Sequence, residues 1–286
     1  MNIERVLVIG AGTMGHGIAH VAAQAGCQAF LYDVDPDVVQ SGLSKVKANL
    51  QKGVDRGKVS QEAMDAALAN LHAAPADLAE AAAGMDLVVE AVPERMELKQ
   101  SIFGTLGASC PEHAILASNT SSLSVTDIAQ SSGRPARVIG MHFFNPVHLM
   151  KLLEIVKTEE TAEDVVAAAR EIGERFGKTC VVVKDSPGFA TSRLGLALGL
   201  EAIRMVEEGV ASARDIDTAL ELGYRHPMGP LKLTDLVGLD VRLGIAEHLA
   251  KVLDDRRFQP PQLLRDMVAA GKLGKKSGQG FYDWSS

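Results

Sequence analysis

Residues 5–33 read RVLVIGAGTMGHGIAHVAAQAGCQAFLYD, and this stretch decides the fold. Arg5 to Ile9 is a short β-branched run. Gly10-Ala11-Gly12-Thr13-Met14-Gly15 follows it, then a helix pattern that closes at Gly26, then a second strand pattern, Gln28 to Tyr32, ending in Asp33. The order is strand, glycine turn, helix, strand, acid. Gly10 permits the tight turn, Gly12 lets the backbone approach a pyrophosphate, and Gly15 lets helix and strand pack closely. The helix N-terminus, with its unpaired N–H groups, then holds the diphosphate. Asp33 follows at roughly the 20-residue spacing expected of an acid that binds a ribose 2′-hydroxyl. Its charge repels a 2′-phosphate and no arginine follows it, so NAD is favoured over NADP.

Working outward, the chain has 286 residues, enough for two domains and a large core. Hydrophobic residues make up 47% and charged residues 23%, the balance of an ordinary soluble enzyme. A net charge of −7 argues against bulk binding to nucleic acid or to an anionic membrane. Cys27, Cys110 and Cys180 are scattered without metal-like spacing and cannot all pair, which suits a reducing, cytoplasmic setting. No apolar run reaches membrane-spanning length. The start enters a strand at once and leaves no room for a signal peptide. His16 and His20 are four apart on the first helix, but the intervening Glu of a zinc motif and a third ligand are missing. No metal site is expected.

Further along, Asp35 to about Lys58 is a long polar helix pattern. Lys45, Lys52 and Arg56 fall within about 40° of one another on one face, joined by Asn49; this basic stripe can be a phosphate handle or a solvated face. Asp86 to Glu90 and Ala114 to Ala117 read as buried parallel strands. Residues just past such strands are where doubly wound folds hold ligands, so Glu94 and Lys99 are candidate cofactor contacts. The cluster Ser118-Asn119-Thr120-Ser121-Ser122 ends the next strand, with Ser124 as a helix N-cap. Val138 to Met141 is a strand with His142 at its end. Asn145-Pro146 turns the chain, and a second apolar run from about Lys151 carries Glu154. A strand, a tight loop and a returning segment bring His142 and Glu154 together as a candidate general acid/base pair.

Lys178 to Val183 is the last strand pattern, and Lys184-Asp185-Ser186-Pro187-Gly188 breaks the alternation. The expected organisation is a Rossmann-type α/β domain over 1–184, doubly wound with a mostly parallel sheet, and an all-α C-terminal domain over 185–286. The helix from Phe189 to Glu208 is apolar nearly all round, which predicts burial on more than one side and a subunit interface.

Several motifs together carry a family resemblance: GAGTMG at 10–15, EAVPE at 90–94, SNTSSL at 118–123, GMHFFNPVHLMKLLEIV at 140–156, KDSPGF at 184–189, HPMGPLKLTDLVGLD at 226–240 and the GKKSGQGFY tail. The chain resembles the short, single-function L-3-hydroxyacyl-CoA dehydrogenases, especially the bacterial 3-hydroxybutyryl-CoA dehydrogenases, over essentially its whole length. The resemblance implies an NAD domain and a helical domain that forms a homodimer. It implies His142 as base, Glu154 as its partner and Ser121 on substrate and nicotinamide. Glu94, Lys99, Asn145 and Lys276 match positions that touch NAD. The face with Asn49, Lys52 and Arg56 matches where the family receives the CoA of an acyl-CoA substrate. One position departs: where relatives run to an Asn before Arg193, this chain has Ser192, a shorter active-site candidate. Two other readings stay open, a sugar-acid (gulonate-type) dehydrogenase and a non-catalytic, crystallin-like NAD-binding protein. Acyl length, direction and pathway are not set by the sequence.

Overall fold

The computed structural model describes residues 2–285. The chain divides into two units, Met1–Ser186 and Pro187–Ser286. The first begins with β1 (Arg5–Ile9), α1 (Gly15–Gln24), β2 (Gln28–Tyr32), α2 (Pro36–Asp55), α3 (Gln61–Ala69) and β3 (Leu71–Ala73). It continues with α4 (Leu78–Ala82), β4 (Leu87–Glu90), α5 (Met96–Ser109), β5 (Ile115–Ser118) and α6 (Val125–Ser131). It closes with β6 (Val138–Phe143), β7 (Leu152–Lys157), α7 (Glu163–Arg175) and β8 (Thr179–Lys184).

Eight strands form one sheet in the order β3-β2-β1-β4-β5-β6-β7-β8. Every pairing is parallel except β6 with β7. The order reverses at β1 and β4, so the crevice beyond their C-terminal ends is the topological switch point where such sheets bind ligands. The inner strands are fully buried, which is why they read as unbroken apolar runs rather than alternating ones. Their core includes Val6, Val8, Val89 and Ile139 from the sheet and Ile18, Val165 and Ile172 from the helices.

Two details differ from the sequence reading. Strand β3, only three residues long, carries too little pattern to be seen, and it forms by pairing with β2. Strand β6 also runs on to Phe143, so His142 lies inside it and not at its end.

The second unit is helical: α8 (Thr191–Glu207), α9 (Ala213–Tyr224), α10 (Pro230–Val237), α11 (Leu239–Leu253) and α12 (Gln262–Ala269). Its core gathers Leu196, Leu200, Ile203, Leu231, Leu249 and Leu264. Two buried carboxylates tie it together. Asp217 accepts from the Leu231 and Lys232 N–H groups at the start of α10, each at 2.8 Å, and from the Tyr282 hydroxyl at 2.7 Å. Asp235 accepts from Phe281 N, Tyr282 N and Trp284 Nε1 at 2.8–2.9 Å. A Cβ at Gly229 or Gly280 would collide with these carboxylates, so glycine is required there. The aromatic tail is thus held by hydrogen bonds to charged acceptors, the stronger kind. Helix α8 is not buried all round within the single chain: Leu194 is 66% and Leu198 45% exposed. Leu233, Leu236 and Val237 of α10 and Val241 of α11 are also exposed.

Candidate active site

The glycine turn is built as its sequence demands. Gly10 has φ +95°, a left-handed conformation open to glycine, and a Cβ at Gly15 would strike the Gly10 carbonyl. A Cβ at Gly12 would meet nothing within 4 Å, so that glycine faces open space at the start of α1. Asp33 braces the turn: its Oδ2 accepts from the Ala11 N–H at 2.8 Å and its Oδ1 from Asp35 N at 3.3 Å. A cavity of about 620 Å³ opens here, lined by Gly12, Thr13, Asp33 and Val34 on one side and Leu78 and Val92 on the other. An apolar slot, a carboxylate and the N–H groups of a helix start are what an adenosine diphosphate requires. These residues fit the adenosine half of NAD.

Beyond β4 and β5 the strand ends carry a carboxylate network. Glu90 is fully buried, accepting from Lys99 Nζ, Ser118 Oγ and Val92 N, each at 2.7 Å. Lys99 is equally buried and lies 3.3 Å from Glu94. Glu94 Oε1 accepts from the Thr120 hydroxyl at 2.6 Å and from the Ser121 and Ser122 N–H groups at 2.9 and 3.1 Å. Burial alone would raise its pKa, but the Thr120 hydroxyl, the Lys99 ammonium and these amides outweigh it and hold the carboxyl below its usual value. Glu94 therefore gathers the Ser-rich loop, with the Ser121 hydroxyl 3.3 Å from it. Asn119 Oδ1 accepts from Phe143 N at 2.8 Å and joins this loop to β6.

The one antiparallel pair of the sheet sets His142 directly opposite Glu154 in register. Facing residues in such a pair point to the same side with Cβ atoms about 5 Å apart, close enough for His142 Nδ1 to lie 2.8 Å from Glu154 Oε2. Glu154 is 0% and His142 7% exposed. The Phe144 ring packs 4.5 Å from the imidazole. A buried carboxylate fixes the proton on Nδ1 and leaves Nε2 as the basic nitrogen. Between the strands, Asn145 is exposed and joined to Pro146 by a cis bond. The loop is held from below by Lys178, whose ammonium donates to the Val147 and Met150 carbonyls. Burial, aided by Lys151, pushes the Lys178 pKa down to about 8.

A separate cavity of about 330 Å³ contains the predicted basic group. Asn49, Lys52 and Arg56 line it together with Lys58, His148 and Lys151; Lys45 is not part of its wall. His20 is at its base, stacked on His148 with ring centroids 5.1 Å apart. In the helical unit, Ser192 sits half-buried in the first turn of α8, and Lys276 pairs with Asp240 at 2.6 Å. Sequence reasoning missed Glu90, Asn119 and Lys178. Asn119 and Lys178 find their partners 24 or more residues away in sequence, and Glu90 reads as no more than the end of an apolar strand.

The site has an acid-sensitive component. Burial, then His148, His16 and Lys178, lower the pKa of His20 from 6.5 to about 4, against an opposing hydrogen bond with Gln24. Between pH 6.5 and 4 the unfolded chain takes up this proton and the folded chain does not, so stability falls as pH falls through that window. Urea denaturation at pH 7 and pH 4.5 checks this: relative to a His20→Leu variant, the wild type loses about 2 kcal/mol more on acidification. Equal losses in the two proteins contradict it.

The chain is similar to known proteins. Residues 5–186 match the family model described as 3-hydroxyacyl-CoA dehydrogenase, NAD binding domain, and residues 188–284 match that of its C-terminal domain. A Bacillus subtilis protein named probable 3-hydroxybutyryl-CoA dehydrogenase is 46% identical, covering 99% of this chain and 98% of that one. An Escherichia coli 3-hydroxyadipyl-CoA dehydrogenase is 42% identical over 99% of this chain and 60% of its own length. The crystal structure of (S)-3-hydroxybutyryl-CoA dehydrogenase from Ralstonia eutropha has a TM-score of 0.95 at 38% identity, covering 100% of both chains.

Proposed function

The chain belongs to the 3-hydroxyacyl-CoA dehydrogenase family, and we propose that it oxidises (S)-3-hydroxyacyl-CoA reversibly to 3-ketoacyl-CoA with His142 and Glu154 as its acid/base unit. It is an NAD-dependent oxidoreductase. The observation that carries the mechanism is the buried Glu154 carboxylate 2.8 Å from the His142 ring. His142 takes the proton of the substrate 3-hydroxyl. Glu154 holds the ring orientation and stabilises the imidazolium as charge develops. When bound, NAD supplies the hydride acceptor at its nicotinamide. Ser121 and Ser192 hold the reacting oxygen and the thioester carbonyl. Lys99, buried on Glu90, acts through Glu94 and the loop Glu94 gathers; Asn145 and Lys276 complete the cofactor contacts.

The four-carbon ester is the substrate read from the names of the relatives at 46% and 38% identity. The shared cavity of Asn49, Lys52 and Arg56 suits the phosphates of CoA, which a sugar acid lacks, and so favours the thioester reading over the sugar-acid one. The intact Ser121, His142 and Glu154 favour catalysis over a crystallin-like role. The open apolar side of Leu194 and Leu198 on α8 supports a homodimer through the helical unit. Among the described residues no helix is long and apolar enough to cross a membrane, and the charge and cysteine usage support a cytoplasmic setting.

The His142→Gln variant, assayed with acetoacetyl-CoA and NADH, is expected to fold and bind NAD but to lose about 10²–10⁴ in kcat, the usual worth of general acid–base catalysis. A near-normal kcat removes His142 from the reaction. Charge reversal at Lys52 and Arg56 is expected to raise KM for acetoacetyl-CoA far more than for a truncated thioester without the nucleotide. The gap should shrink with added salt, since exposed charges are screened beyond about 8–10 Å. Equal effects on both substrates put CoA elsewhere.

A further inference from the structure

The basic cavity of the first unit holds a histidine pair that the lysines and the arginine do not explain. All its wall residues belong to that unit. Lys52, Arg56, Lys58 and Lys151 line it, and among the described residues no carboxylate does. His20 and His148 complete the wall, stacked with ring centroids 5.1 Å and planes 18° apart. The loop that carries His148 is clamped in place. Val147, 2% exposed, packs on α1 at Gly17, where a Cβ would come within 2.9 Å of it. Lys178 donates to the carbonyls of Val147 and Met150, on either side of the histidine. The imidazole is thus set in the cavity wall in advance, which lowers the entropy cost of meeting a ligand.

Two stacked rings cannot both be charged without strong repulsion, and burial decides between them. His20 is 2% exposed with its pKa at about 4, so it stays neutral at neutral pH. His148 is half-buried and is the ring that can take a proton. Burial, then His16, Lys178 and Lys52, hold its pKa below the ordinary value. The titratable groups facing the pair are His16 on α1, Lys52 and Arg56 on α2 or at its end, Lys58 after it, Lys151 before β7 and Lys178 before β8. None of these supplies a negative charge.

A phosphate in the cavity reverses this balance, because an opposite charge within about 4–6 Å favours the imidazolium. The wall carries a further mark of a polar ligand. His20 Nδ1 is buried and meets no partner among the described residues, and such atoms are ordinarily satisfied. We propose that His148 is a further substrate-binding residue, which meets a phosphate of CoA as its imidazolium, so that docking of the nucleotide takes up a proton. This rests on the reading of the cavity as the CoA site.

The test measures, with NADH at pH 6 and pH 8, the KM advantage of acetoacetyl-CoA over acetoacetyl-pantetheine, which lacks the nucleotide. Proton transfer at His142 is common to both esters and cancels in the ratio. Wild type, His148→Gln and His148→Lys are compared. The wild-type advantage is expected to exceed that of His148→Gln about tenfold at pH 6 and to match it at pH 8, as a bound-state pKa raised by about 1–2 units requires. His148→Lys, charged at both pH values, should keep the larger advantage at both. A ratio of wild type to His148→Gln that does not change with pH overturns the proposal. So does a His148→Lys variant no better than His148→Gln at either pH, which makes the histidine a packing residue. Equal KM for the two esters in the wild type takes CoA away from this cavity, and the proposal falls with that reading. Turnover of neither ester overturns the dehydrogenase reading itself, and this proposal with it.

Discussion

The pairing of β6 with β7 is the constraint on which the site depends. It is the only antiparallel pair in the sheet, and its register places a histidine against a fully buried carboxylate. Side chains alternate with a period of two along a strand, so a slip by one residue would turn Glu154 to the opposite face and separate the pair. A buried carboxylate without a partner is strongly destabilising. The apolar residues that flank Glu154, Leu153 and Ile155, pack into the core only in the observed register. Packing and electrostatics therefore select the same alignment.

The same logic recurs two strands away. Glu90 ends β4 fully buried and is neutralised by Lys99 from α5, with Ser118 at the end of β5 satisfying its other oxygen. Lys99 then reaches Glu94, and Glu94 collects the hydroxyls and amides of the loop after β5. A chain of charge-assisted hydrogen bonds thus runs from inside the sheet to the loop that carries Ser121. Asn119 extends it to the backbone of β6 beside His142. The loop and the histidine are set by one connected network, and such networks are stiff when every member is satisfied. Lys178 does the same from below for the loop between β6 and β7.

Much of this was legible in the sequence wherever the physics is local. The strand, glycine turn, helix and acid at 5–33 each act within a few residues, and β1, α1 and β2 stand where their pattern puts them. The His142 and Glu154 pair was legible because Asn145-Pro146 separates two apolar runs and forces a return. The burial of Lys99 was not, because Glu90, the buried carboxylate it meets nine residues back, reads only as the polar end of an apolar strand. Strand β3 was invisible for a similar reason: three residues become a strand only beside β2. The open side of α8 is where the sequence stops, because an apolar helix surface does not say what covers it.

The central role assigned to Glu154 is to work through His142. The direct measurement is kcat of Glu154→Gln with acetoacetyl-CoA and NADH across pH, with KM followed in parallel. The variant keeps the shape but takes away the charge that holds the Nδ1 proton. The expected result is a fall in kcat of roughly 10²–10⁴ with KM little changed, because the lost interaction matters when the imidazolium forms. A Glu154→Gln enzyme with wild-type kcat and an unaltered pH profile would contradict the role given to the pair.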